Sequence, residues 1–336
     1  MTNLRPDPLK RAVAYAKSFF ALLNKRYPAD WDKARYVCEF YGETSERPAN
    51  PSRVVFMSDG TLNIGGMADR LKGILTAYCE CKRHGRQFYI NWIEPFRLTD
   101  YLLPADHDWR IEPEDICRDA GRVFPAIIEE GTARQNMLRR LIFRAWFIFK
   151  PCEMHIFSNL KWHEKYYGAL YRELFRPSER LSRSVNCHIA AAGGRYYSFS
   201  FRFHELLGDF RDIIGIPLPK EEAERLMDKN ISELKRLLES LPAGCCAYVA
   251  SDSSSFLERV VGADSRIYVV PKKIIHMGIH KSDEGNDDIW LNTFTDFYMI
   301  MNAERVYLLK TGDMYCSGFP QLAAALGGKE FVLHEF

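Results

Sequence analysis

Along the chain, short apolar runs alternate with stretches whose apolar residues recur every three or four positions. "RVVFM" (Arg53 to Met57) is a continuous apolar run closed by "SDG", the pattern of a buried strand followed by a turn. In the next stretch, "GGMADRLKGILTAY", Met67, Leu71, Ile74, Leu75 and Tyr78 stand at helical spacing. That spacing predicts an amphipathic helix stopping near Gly85. "FYINW" (Phe88 to Trp92) predicts a second strand. Strand, glycine turn, helix and strand form a βαβ unit, which makes a parallel sheet.

"EPFRLTDYLLPADHDW" is punctuated by proline and reads as irregular, and helical patterning fills much of the chain to about Phe175. "RPSERLSRS" (Arg176 to Ser184) reads as a linker. Beyond it, "CHIAA" and "YYSFSFRF" predict strands, and "PKEEAERLMDKNISELKRLLESL" predicts a long helix with Pro219 at its start. Strand "CCAYVAS", a short helix from Ser253 and strand "RIYVV" follow. A helix around "WLNTFTDFYMIMNA", strand "RVYLL", helix "FPQLAAAL" and strand "FVLHEF" complete the chain. This alternation predicts an α/β fold of doubly wound type. Two Rossmann-like domains are expected, residues 1–178 and 179–336, facing across a cleft. Ligands in such folds bind beyond the carboxyl ends of the strands.

Composition narrows the class. At 336 residues, 47% hydrophobic and 27% charged, the chain is globular and too long for one typical core. A net charge of +2 excludes a nucleic-acid binder that relies on bulk electrostatics and leaves room for a local phosphate pocket. The nine cysteines are odd in number, with Cys79 and Cys81 separated by one residue and Cys245 beside Cys246. Neither spacing suits zinc, and reduced thiols in a cytoplasmic protein are expected. "LIFRAWFIF" (Leu141 to Phe149) contains Arg144 and is too short to span a membrane. The N-terminal "LKRAVAYAKSFFALLNKRYP" reads as an amphipathic helix docked on the protein's own core, with peripheral membrane contact as the alternative.

Four places combine small or charged residues with an element end. Gly65 and Gly66 let backbone approach a ligand at a helix N-terminus, where Asp69 complements the helix dipole and Arg70 follows it. Arg202 alternates with Ser200 along a strand whose other face is Phe199, Phe201 and Phe203. A buried guanidinium needs an anion: Asp209, Glu205 or a phosphate. Ser251 and Asp252 end a strand, with Ser255 and Glu258 in capping-box spacing just beyond. Ser317 and Gly318 precede a helix with Pro320 just inside it, as a simple cap or a second anion site. "DHD" (Asp106 to Asp108) mimics the acid-x-acid metal pair of many sugar transferases, but no clear strand precedes it.

In this order the stations resemble the fucosyltransferase superfamily of alpha-1,6-, nodulation-factor and protein O-fucosyltransferases. "GGMADRLKGI", "NWIEPFRLTDYLLPADHDW", "SFRFHELLGDF" and "TDFYMIMNA…MYCSGFPQLAA" carry the resemblance, over roughly residues 54 to 336. It implies a GT-B fold and inverting, metal-independent transfer from GDP-fucose to a glycan or glycoconjugate, with no cofactor. Arg202 matches the arginine that holds the donor β-phosphate, and Asp296 an acid that reads guanine. Tyr315, Ser317, Gly318 and Phe319 match a phosphate-contacting loop, and Ser251 and Asp252 a second nucleotide motif. Gly65, Gly66, Met67 and Arg70 match a loop lining the donor and acceptor side. Glu205, Asp209 and Asp69 remain alternatives for the general base. Ser200 stands where the family often has histidine. The rivals are a same-fold enzyme using another nucleotide sugar and a silent glycan- or nucleotide-binding protein.

Overall fold

Five of the six residues of Arg53–Ser58 (β1) are buried, which is why the run is apolar almost without interruption. In this computed structural model β1 leads into α1 (Met67–His84) and then β2 (Gln87–Trp92). The structure describes residues 33, 37, 39–42, 47–209, 216–271 and 287–336. The expected N-terminal helix lies outside them. Contacts divide the chain into two units. One comprises residues 1–65, 69–93 and 108–163; the other comprises 66–68, 94–107 and 164–336. Residues 94–107 and 164–178 therefore group with the second unit, although the sequence reading places them in the first.

The first unit has one parallel sheet, ordered β2-β1-β5-β4, with β4 at Val123–Ile128 and β5 at Glu153–Ser158. Helix α2 (Ala133–Phe149) connects β4 to β5. The two later strands correct the helical reading of this region. Pro125 sits inside β4, which is tolerated because β4 is the sheet edge. Strand β5 hides two ionisable residues, Glu153 and His155, both fully buried. Arg53 Nε pairs with Glu153 at 3.2 Å and Tyr41 Oη meets His155 Nδ1 at 2.6 Å, so these groups are satisfied inside the sheet.

In the second unit, β3 (Leu102–Pro104) pairs antiparallel with β6 (Phe175–Pro177), just after α3 (Tyr167–Leu174). The expected linker and the expected strand "CHIAA" are instead β6 and α4 (Glu179–Ala191). Ser178 caps α4 by accepting from Leu181 N at 3.3 Å, and Leu181 and Val185 bury one side of the helix. The polar residues that suggested a linker form its other faces. The main sheet, all parallel, is ordered β11-β10-β7-β8-β9. Its strands are β7 (Tyr196–Phe201), β8 (Cys246–Ser251), β9 (Ile267–Tyr268), β10 (Arg305–Lys310) and β11 (Glu330–Glu335). Helices α5 (Lys220–Glu239), α6 (Ser254–Val261), α7 (Asp287–Asn302) and α8 (Gly318–Gly327) alternate with them.

Candidate functional site

Strand β7 lies in the middle of its sheet, and Phe199, Phe201 and Phe203 pack into a core with Leu234, Leu238 and Phe256. Strand alternation then turns Ser198, Ser200 and Arg202 to the opposite side. Arg202 follows the last strand residue, and its side chain is 19% exposed. Its Nη1 lies 3.1 Å from Oδ2 of Asp252, at the end of neighbouring β8. Arg202 thus pairs with Asp252, which the sequence reading had assigned to ligand contact and had not put among its protein partners. The Asp252 carboxylate also accepts from Phe203 N at 2.9 Å and His204 N at 2.7 Å. Burial raises the pKa of Asp252, while the Arg202 charge and these amide bonds pull the other way. The carboxylate therefore braces the turn that carries Arg202.

Asp209 does a different job from the one expected. Its Oδ2 accepts from Ser253 Oγ, Ser255 N and Ser255 Oγ, each at 2.8 Å, at the start of α6. The N-cap there is Ser253, whose Oγ accepts from Phe256 N, and not Ser255 as the Ser255–Glu258 spacing suggested. Ser251 Oγ accepts from Ser253 N at 3.2 Å. Two buried hydroxyls on β7, those of Ser198 and Ser200, lack a hydrogen-bond partner among the described residues.

Beside Arg202, Tyr315 N donates to its carbonyl at 2.9 Å. The Tyr315 ring, 55% exposed, stacks on His204 with centroids 5.4 Å apart. His204 holds a positive φ of 61°, fixed by the Asp252 bond to its amide. Sequence spacing gave no sign of this ring pair. Ser317 caps α8 by accepting from Phe319 N, Gly318 opens the helix and Pro320 is buried within its first turn. The free amides of this turn are suited to an anion. Asp296 lies inside α7, buried, with Oδ1 accepting from the buried Tyr248 hydroxyl at 2.5 Å.

In the first unit, Gly65 has φ +95°, and a Cβ there would lie 2.6 Å from Asp69 Oδ2. Gly66 is different: a Cβ there would meet nothing within 4 Å. Met67, the first residue of α1, is buried. Arg70, also buried, donates from Nε to Gly65 O at 3.0 Å and from Nη1 to Ser58 Oγ at 2.8 Å, with its guanidinium over Trp92. Asp69 pairs with Lys72 at 2.7 Å. Burial works against the Lys72 ammonium, but Asp69 and Glu130 outweigh it and hold the pKa above its usual value. Arg70 thus fixes the glycine loop.

Asp108 is engaged two-pronged by Arg110, at 2.8 Å and 2.7 Å. Among the described residues no group of three or more His, Cys, Asp or Glu is placed to hold a metal ion. No helix among them is long and apolar enough to cross a membrane. The described cysteines are all free, some buried and two, Cys187 and Cys316, exposed.

No protein-family model matches the chain, and neither does any curated protein sequence. Solved structures do match. A mutant of Arabidopsis thaliana FUT1 in complex with GDP aligns with a TM-score of 0.53 and 12% identity, over 99% of this chain and 80% of that one. NodZ alpha-1,6-fucosyltransferase soaked with GDP-fucose gives 0.53 and 14%, over 82% of this chain and 92% of its own. Fucosyltransferase NodZ from Bradyrhizobium gives 0.52 and 14%, over 81% and 91%. The chain shares the GT-B-type fold of these fucosyltransferases. At such identities the likeness speaks for the fold, and chemistry has to be argued from residues.

Proposed function

We propose that this chain is an inverting glycosyltransferase that moves fucose from GDP-fucose to a hydroxyl of a glycan or glycoconjugate. One observation carries the reading. Arg202 is held at the carboxyl end of a central parallel strand by Asp252, with its side chain still 19% exposed, next to the Ser317-capped start of α8. The two nucleotide-bound relatives above are known by GDP and GDP-fucose, and this station is where such a fold presents donors to a diphosphate.

In the proposed step an acceptor oxygen forms a bond to the anomeric carbon from the face opposite the leaving group. The bond from that carbon to the β-phosphate oxygen breaks, its electron pair leaves with GDP, and the acceptor proton passes to a carboxylate. Arg202 and the amides of α8 stabilise the charge gathering on the phosphate. Among the candidate bases, Asp209 already accepts three hydrogen bonds and Asp69 is paired with Lys72. Glu205, Asp209 and Asp69 stay alternatives for the carboxylate that takes the proton, and substitution of each in turn separates them. In this scheme Arg202 and the amides of α8 take the place of a metal at the diphosphate, and Asp108 of the Asp106–Asp108 triplet is held by Arg110.

The guanine preference rests on Asp296, whose Oδ1 accepts from Tyr248, so the base has to reach a carboxylate already tied to the core. A binding protein without turnover is the second reading, favoured by the occupied carboxylates of Asp209 and Asp69. Thermal shift with GDP, GDP-fucose, UDP and UDP-sugars, followed by assay of released GDP, tests both. Selective stabilisation by the guanine nucleotides, about 2.7 kcal/mol at 100 times Kd, with GDP released in the presence of acceptor is the expected outcome. Equal shifts with UDP would overturn the guanine assignment, and donor bound but never cleaved would favour the binder.

A further inference from the structure

Four of the ten large apolar side chains exposed among the described residues lie on α2: Met137 at 66%, Leu141 at 52%, Ile148 at 54% and Phe149 at 63%. Met137, Leu141, Arg144 and Ile148 stand at i, i+4, i+7 and i+11, one face of the helix about 16 Å long. The opposite side, with Ile142, Phe143 and Trp146, is buried in the first unit. This helix is therefore apolar on both sides, and among the described residues only the inner one is covered.

Charge decides what suits the outer side. Residues 133–150 contain Arg134, Arg139, Arg140, Arg144 and Lys150, and neither Asp nor Glu. The end of α1 runs alongside, where His84 stacks on Phe147, and adds Lys82 and Arg83. The carboxylates beside it are spoken for: Glu80 is fully buried and paired with Arg83, His84, Arg144 and His163, and Glu129 and Glu130, just before the helix, pair with Lys33 and Lys72. Arg144 runs across the stripe with its guanidinium between Glu80 and the Trp162 ring, 4.3 Å from the ring centroid.

We propose that this face of α2 docks on the surface of a lipid bilayer rich in anionic headgroups. Apolar side chains that enter the acyl boundary, rimmed by arginine and lysine stems reaching the headgroups, are what an interfacial helix requires. A second copy of the same face would set like charges against each other, which disfavours self-association here. The helix lies on the bilayer and does not cross it.

The test is co-sedimentation of the full chain with vesicles of pure phosphatidylcholine or of equal parts phosphatidylcholine and phosphatidylglycerol. The expected result is binding to the anionic vesicles alone, weakened as 1 M salt cuts the Debye length from about 10 Å to 3 Å. The variant carrying Met137→Gln, Leu141→Gln and Ile148→Gln should keep its melting temperature and bind more than about tenfold more weakly. Leu141→Gln alone, a milder change at an exposed site, should lose about threefold. Absence of binding by the unaltered chain overturns the proposal. So does unchanged vesicle binding by the folded variants, which would place the contact elsewhere in the chain. A dimer that these substitutions convert to monomer, without vesicle binding, would instead show a protein partner on this face and overturn it too.

Discussion

Asp252 accepts the amide hydrogens of Phe203 and His204 while its Oδ2 sits 3.1 Å from Arg202 Nη1. One buried carboxylate thus fixes both the guanidinium and the backbone turn that presents it. Removing it strands a charge and two amides at once. Asp252→Ala should cost roughly 3–5 kcal/mol in urea unfolding, the usual effect of breaking a buried pair. A variant as stable as the parent chain would contradict this bracing role.

The two glycines of the loop before α1 should behave differently. Gly65→Ala forces a side chain into φ +95° against the Asp69 carboxylate and should destabilise by about 1–3 kcal/mol. Gly66→Ala meets no neighbouring atom and should stay within about 0.5 kcal/mol of the parent. If the open space beside Gly66 admits a ligand, transfer activity should nevertheless fall in Gly66→Ala. Unchanged turnover in that variant would remove the loop from the site.

Acid stability offers a separate check on the second unit. The Arg236 guanidinium, aided by His334, holds the Glu233 carboxyl down at about 2. An acid with a depressed folded pKa stabilises the fold above its unfolded value near 4.3. That contribution is lost as pH falls from there through about 2. Glu233→Gln should therefore flatten the decline of unfolding free energy over this window, measured by urea titration at fixed pH values. Identical acid slopes in both proteins would count against it.

Much of this fold was legible from apolar patterning, because parallel strands covered on both faces read as continuous runs. β1, β2, β8 and β10 are such runs. β4 and β5 were not, since Pro125 breaks one and the mutually satisfied Glu153 and His155 disguise the other. At the site, Arg202 was visible because an arginine among alternating phenylalanines has to find an anion. Its actual partner was not, because Asp252 lies 50 residues away in sequence and meets it only through strand pairing of β7 with β8. Asp209, close in sequence, was drawn instead to the open amides of α6. The His204–Tyr315 ring pair depends on a left-handed backbone residue that no spacing rule announces.

Chelation bears on how the diphosphate is held. If Arg202 and the helix amides supply the counter-charge to the diphosphate, transfer should persist in excess EDTA. Activity lost on chelation and restored by Mn²⁺ or Mg²⁺ would contradict that and bring Asp106 and Asp108 back as ligands.

The central claim is that Arg202 carries the charge of the departing diphosphate. Arg202→Lys is its most direct test, since lysine keeps a cation for Asp252 but lacks the planar fork that two phosphate oxygens need. Melting temperature and kcat are to be measured on the same preparation, with GDP-fucose and an acceptor. The account predicts a folded protein whose kcat is lower by about 10²–10³, the usual loss of one charge-stabilising donor, with the deficit in kcat because the contact tightens in the transition state. A folded Arg202→Lys protein that transfers fucose at the parental rate would contradict it.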